Sequence, residues 1–302
     1  MIKPNSLQTG DTVGIVATGR KVYPQDVRAA ERQFISWGIN VVLAPHLFGD
    51  EHHYLAASDD HRKQDFQSML DDKNIKAIIC ARGGYGTTRI LDQLVFSDFM
   101  QNPKWIVGFS DITALHLKLF QLGVESIHAT MPVLFELPAS HGSVESLKRI
   151  LLGEENVIRA EPNSNNIQGK STGRVVGGNL SLIVDSLATL SEPDLAETIL
   201  IAEEIDERLY KIDRMFTQLK RAGKLDKLSG LVVGHMTDIK DTTPGFGETL
   251  EEIILSKVKT FDYPVAFNFP IGHENPNLAW KHGSIMALTV GAKGCSLESI
   301  LR

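Results

Sequence analysis

Residues 104–116 read Lys104-Trp105-Ile106-Val107-Gly108-Phe109-Ser110-Asp111-Ile112-Thr113-Ala114-Leu115-His116, and the fold turns on them. Trp105 to Val107 make a short apolar run that suits a buried strand. Gly108 permits a sharp turn, and Ile112, Leu115, Leu119 and Leu122 then recur at steps of three, four and three, the spacing of an amphipathic helix. The strand-to-helix corner carries Ser110. Open α/β sheets gather their ligands at the carboxyl ends of such strands. A plainer reading fits the same residues: Ser110 or Asp111 caps the helix, because both side chains accept hydrogen bonds from first-turn N–H groups.

The pattern extends upstream. Segments 11–18 (DTVGIVAT), 40–44 (NVVLA) and 76–81 (KAIICA) read as strands. Helices are predicted over about 25–37, stopped by Gly38, and from about Ser58, with Phe66, Met69 and Leu70 inward. Strand, helix and strand joined by short links imply a parallel sheet, and the wholly apolar third strand should be covered on both faces. A strand over 125–128 and a helix over 143–152 follow.

Residues 153–172 are polar and rich in turn formers, which suggests a linker between domains 1–152 and 173–302. Strands are then predicted at 175–178, 198–202, 231–234, 263–269, 284–290 and 295–301. Helices are predicted from Asn179 to about Leu190, over 207–222 and over 248–259. The expected fold class is α/β, with an N-terminal Rossmann-like parallel sheet and flanking helices, plus a C-terminal α/β domain of strands and helices.

The composition narrows function by exclusion. Across 302 residues the formal net charge is −6, with no basic run, so nothing favours nucleic acid. Cys80 and Cys295 stand far apart with no C-x-x-C pairing, which supports neither a disulfide framework nor a zinc site. No apolar run is long enough to span a membrane, and residues 1–6 lack the apolar core of a secretory signal. The expectation is a cytoplasmic protein without metal or cofactor.

Two features carry possible chemistry. Arg82-Gly83-Gly84-Tyr85-Gly86 follows a central strand, and its glycines allow backbone N–H groups close to a ligand. It fits a tight turn equally well, and neither G-x-G-x-x-G nor G-x-x-x-x-G-K-[ST] occurs. A serine such as Ser110 needs a base, normally histidine, and a third group to fix the base's tautomer. Among ten histidines, His235 and His273 each follow a glycine at a second-half strand end, and His273 has the stronger loop setting. Glu203, after an apolar strand, suits the orienting acid, with Glu204 directed to the opposite face. Asp111, Asp206 and Asp213 compete with it.

Taken in order, five stretches resemble the LD-carboxypeptidase (muramoyltetrapeptide carboxypeptidase) family, serine peptidases of bacterial cell-wall recycling. They are Arg82 to Gly86, Gly108 to Thr113, Gly177-Gly178-Asn179-Leu180, Glu203 through Met215, and Gly272-His273. The resemblance implies Ser110 as nucleophile, His273 as general base and acid, and Glu203 as the group orienting His273. It further implies an oxyanion hole of backbone N–H groups from Gly84 and Asp111, and a homodimer. Asn179 is a candidate substrate contact, and Arg82 is a candidate clamp for the terminal carboxylate, because a guanidinium pairs with a carboxylate bidentately, or equally a brace for the glycine loop. The implied substrate is a murein tetrapeptide, cut at the bond before its terminal D-alanine without a metal. Leu209 stands where proline is usual, Lys211 where arginine is common, and segment 278–282 is atypical. The related microcin-immunity enzymes, which cut aminoacyl-nucleotide amides, use an aromatic platform, yet residues 181–199 contain no Trp, Tyr or Phe. A non-catalytic α/β ligand-binding protein is the remaining alternative.

Overall fold

The computed structural model describes residues 1–49 and 52–300. In chain order the first elements are β1 (Thr12–Val16), α1 (Pro24–Ser36), β2 (Asn40–Leu43), α2 (Asp59–Asp71), β3 (Ile75–Cys80), α3 (Thr87–Leu91) and α4 (Ser97–Gln101). There follow β4 (Trp105–Gly108), α5 (Thr113–Gln121), β5 (Ser126–His128) and α6 (His141–Leu151). The second half contains β6 (Val157–Ala160), β7 (Gly169–Asn179), α7 (Leu180–Asp185), β8 (Thr198–Ile205), α8 (Leu209–Arg221), β9 (Gly230–Thr237) and α9 (Leu250–Val258). It closes with β10 (Val265–Ala266), β11 (Trp280–His282), β12 (Ile285–Gly291) and β13 (Gly294–Ser299).

The first sheet runs β11-β5-β4-β3-β1-β2. Its five N-terminal strands are parallel and take the doubly wound order, so the crevice for a ligand lies outside the carboxyl ends of β1 and β3. Apolar β3, with Ala77 to Cys80 fully buried, is central and covered on both faces, as predicted. The second sheet runs β10-β9-β8-β7-β12-β13-β6, parallel from β10 to β7 and antiparallel beyond. Strand alternation divides its core in two: Val176, Leu200 and Ala202 pack with α8 and α9, whereas Val175, Ile199 and Ile201 pack with Trp280 and β12.

Several boundaries differ from the sequence reading. The polar stretch 153–172 is not merely a connection. Ile158 is fully buried, and the stretch supplies β6 and the start of β7. The helix after Asn179 ends at Asp185 rather than near Leu190, ahead of a left-handed residue, Ala188 (φ +62°). The strand predicted over 263–269 shrinks to two residues between Pro264 and Asn268, which sits at φ +61°. The last strand ends at Ser299, and Leu301, the predicted end, lies outside the described residues.

β11 was not anticipated. This three-residue strand from the second half joins the first sheet antiparallel to β5, pairing Trp280 with His128 and His282 with Ser126. It closes the outer edge of β5 and binds the two halves of the chain together. Among the described residues, no helix is long and apolar enough to cross a membrane.

Candidate active site

β4 delivers Ser110 through a strained corner. Ser110 has φ +62°, a left-handed value uncommon outside glycine, and it opens a single 3₁₀ turn (Ser110–Ile112) that leads into α5. Regular α-helix therefore starts only after that turn, at Thr113. No side-chain cap hydrogen bond forms at the turn or at α5, so the capping reading of Ser110 fails. Holding a serine in this conformation costs free energy that the surrounding packing must supply, and such strain concentrates at functional sites.

The glycine loop is built around that serine. A Cβ placed on Gly83 would lie 2.9 Å from Ser110 Cβ and 3.0 Å from Ser110 Oγ, so only glycine lets the loop close against the hydroxyl. Asp111 ties the corner down. Its buried carboxylate accepts the Thr87 N–H at 2.9 Å, at the start of α3, and a Cβ on Gly19 would come within 2.9 Å of its Oδ2. Burial raises the Asp111 pKa, and the bonds from Thr87 partly offset that. Arg62, only 1% exposed, gathers three loops by donating to the carbonyls of Thr18, Ala57 and Gly86 while pairing with Asp59. On an amphipathic helix its sequence gave no sign of burial, because arginines on such helices ordinarily face solvent.

The second half brings an acid and a base to the same place. Glu203 lies inside β8, which continues to Ile205, beside a register shift between Ala202 and Glu204. Its side chain is fully buried, and Oε2 stands 2.7 Å from His273 Nδ1. Glycines make the room. A Cβ on Gly272 would fall 2.9 Å from Glu203 Cβ and Oε2, and one on Gly234 would fall 3.2 Å from Glu203 Cβ. Burial works against a charged His273 ring, but the Glu203 hydrogen bond and the charges of Glu203 and Glu204 outweigh it and raise the pKa above 6.5. Glu204, on the opposite face as predicted, is held by Asn179 Nδ2 (2.7 Å) and by the Ser181 N–H and hydroxyl (2.8 and 2.6 Å).

The two halves meet at the corner. The Phe109 and His273 rings lie 4.9 Å apart between centroids. Asn179, paired in register with Glu203, donates its N–H to Thr113 Oγ1 at 3.0 Å in the first turn of α5. The corner that carries Ser110 thus packs against the element that carries His273, although among the described residues Ser110 and His273 make no hydrogen bond. Catalytic bonds of this kind often tighten only with substrate in place. Acyl transfer by an activated serine is the chemistry such an arrangement can perform.

Other expected residues land differently. Both ends of the Asn179 carboxamide are engaged inside the protein, Oδ1 capping α7 through Leu182 N–H and Nδ2 on Glu204, so the geometry supports a structural role for it. Arg82 turns one guanidinium nitrogen back to the Lys21 carbonyl at 3.2 Å. The His235 ring is engaged elsewhere, its Nδ1 accepting the Glu274 N–H at 3.2 Å. His116 and His128 are fully buried. The His116 ring joins the Gly108 carbonyl (2.9 Å) to Ser126 Oγ (2.8 Å), and burial brings its pKa down to about 4. His128 stacks on Trp280, with centroids 5.2 Å apart. Among the described residues, no cluster of three or more His, Cys, Asp or Glu side chains could hold a metal ion.

Comparison with known proteins identifies the family. The N-terminal domain model of LD-carboxypeptidases matches residues 13–129, and the C-terminal domain model matches residues 172–288. A probable murein peptide carboxypeptidase of Bacillus subtilis is 34% identical, over 98% of this chain and 94% of its own. The crystal structure of a muramoyltetrapeptide carboxypeptidase from Oxalobacter formigenes superposes with a TM-score of 0.86 at 26% identity, covering 95% of this chain and 98% of that one. An MccF-like protein from Bacillus anthracis reaches a TM-score of 0.87 at 22% identity, covering 99% of this chain and 100% of that one; at that identity the likeness concerns the fold.

Proposed function

The chain belongs to the LD-carboxypeptidase family, and from that premise we propose that it hydrolyses the peptide bond before the terminal D-alanine of murein tetrapeptides, in peptidoglycan recycling. Ser110 attacks the scissile carbonyl. His273 takes the serine proton and then hands it to the leaving amine of D-alanine, while Glu203 holds the ring in the tautomer with Nδ1–H directed at the carboxylate. Water, activated by the same histidine, releases the acyl-enzyme. The backbone N–H groups of Gly84 and Asp111 stabilise the developing oxyanion, aided by the turn that opens α5. The proposal includes a cytoplasmic homodimer, divided functionally into residues 1–152, which carry the nucleophile, and 173–302, which carry the acid and base.

The observation that carries this reading is the fully buried Glu203 bonded to His273, whose ring packs against Phe109, the residue before a strained serine. A buried carboxylate on a histidine whose pKa it raises is the arrangement a general base requires. The microcin-type alternative lacks its aromatic platform in residues 181–199. The test is a side-by-side measurement of kcat/KM on a murein tetrapeptide and on an aminoacyl-nucleotide amide. Release of one alanine from the tetrapeptide as the preferred reaction supports the proposal. Preference for the nucleotide substrate overturns it.

A further inference from the structure

We infer that Arg20, seated on the ring of Tyr54, receives the terminal carboxylate of the substrate, while Arg82 braces the loop that carries it; this rests on the carboxypeptidase reading above. Arg20 lies just beyond β1, at the crevice between the carboxyl ends of β1 and β3. Its N–H donates to the Gly83 carbonyl at 3.0 Å, and the next residue, Lys21, donates to the Tyr54 carbonyl at 2.9 Å. The guanidinium carbon stands 5.5 Å from the centroid of the Tyr54 ring. An aromatic face beneath a guanidinium steadies it and leaves its N–H edge open.

The Gly83-Gly84 dipeptide links this pair to the nucleophile. A Cβ on Gly83 would touch Ser110 Oγ (3.0 Å), and a Cβ on Gly84 would touch Arg20 Cβ (2.8 Å) and Tyr54 Oη (3.1 Å). Ser110 and the Arg20–Tyr54 pair therefore pack against two consecutive residues of one loop. That suits a carboxypeptidase, where only one nitrogen and one Cα separate the scissile carbonyl from the terminal carboxylate.

Charge points the same way. Arg62 and Arg89 both converge on Asp59, and Arg149 pairs with Glu154. Among the described residues, neither Arg20 nor Arg82 forms an ion pair with a carboxylate. Of the two, Arg20 is exposed, whereas Arg82 is half-buried with Nη1 engaged on the Lys21 carbonyl. A guanidinium grips a carboxylate through two parallel N–H bonds, which an ammonium cannot reproduce.

The test compares kcat/KM on a murein tetrapeptide and on the same peptide ending in D-alaninamide, for the unaltered protein, Arg20→Ala, Arg20→Lys and Arg82→Ala. The unaltered protein should prefer the free carboxylate. Arg20→Ala should lose roughly 10- to 100-fold on the acid, chiefly through KM, and little on the amide, so that the preference collapses. Arg20→Lys should retain part of it, which also supplies the readout if the alanine variant folds poorly. Arg82→Ala should keep the preference. Equal losses on both peptides, survival of the preference in Arg20→Ala, or its collapse in Arg82→Ala would each overturn the assignment. If the unaltered protein releases no alanine from either peptide, the carboxypeptidase reading fails and takes this assignment with it.

Discussion

Replacing His128 with phenylalanine should weaken the protein's sensitivity to acid by a definite amount. His128 is fully buried, packed against Trp280, Phe109 and His116, and neither ring nitrogen has a hydrogen-bond partner among the described residues. Burial, reinforced by the neighbouring His116 and His273, holds its pKa well below 6.5, so the folded protein keeps the ring neutral where the unfolded chain protonates it. For such a group stability is present above the unfolded pKa and is lost as pH falls below it. Between pH 7.5 and 5.5, with an unfolded pKa of about 6.5, the loss amounts to about 1.4 kcal/mol. His116 and His282, also fully buried with depressed pKa values, add to the same slope. His273 acts with the opposite sign: its raised pKa gives stability that is complete below the unfolded value and disappears as pH rises through the folded one. Denaturant unfolding of both proteins at the two pH values isolates the His128 contribution. His128→Phe should lose about 1.4 kcal/mol less than the unaltered protein over that range, whatever its stability at pH 7.5. An identical loss in the two proteins would mean that His128 takes up its proton in the folded state, and the account of this layer would be wrong.

Two further substitutions probe the site itself. Glu203→Gln should lower kcat by about 10³- to 10⁴-fold, because the neutral amide no longer stabilises the protonated ring or fixes its tautomer. With that support gone, burial dominates at His273, and the acid limb of the kcat/KM profile should move to lower pH; a limb that stays in place would separate Glu203 from the base. Gly83→Ala would put a Cβ 2.9 Å from Ser110 Cβ, although Gly83 is not among the residues that need positive φ. Activity on the tetrapeptide should therefore fall by at least about 100-fold, and stability by about 1–3 kcal/mol as the corner shifts to relieve the contact. Full activity would show that the loop does not close on the serine.

The parts of the fold written in local periodicity were legible in advance. The apolar steps after Ser110 and the wholly apolar run ending at Cys80 marked α5 and β3, and each sits where its pattern required. What stayed hidden depended on distant partners. β11 is three residues long, and only its pairing with β5 makes Trp280 to His282 a strand. Stretch 153–172 looked polar because one strand at its edge buries a single large side chain, Ile158. Glu203 stood out only as an acid after an apolar strand and His273 only as a histidine after a glycine, 70 positions apart in sequence. The reason for the glycines, that Gly272 and Gly234 both make way for the Glu203 side chain, exists only in three dimensions. Asn179 could not be resolved from the chain, because an asparagine before a helix is equally apt as a cap and as a ligand, and its bonds to Leu182 and Glu204 exist only in the fold.

The central claim is that Ser110 is a nucleophile rather than a structural serine at a turn. Mass spectrometry of a murein tetrapeptide, incubated with the unaltered protein and with Ser110→Ala, tests it directly. The unaltered protein should convert the tetrapeptide to the tripeptide by losing its single terminal alanine. Ser110→Ala, folded to the same stability within about 1 kcal/mol, should leave it intact. Tripeptide formed at a comparable rate by Ser110→Ala would contradict the account.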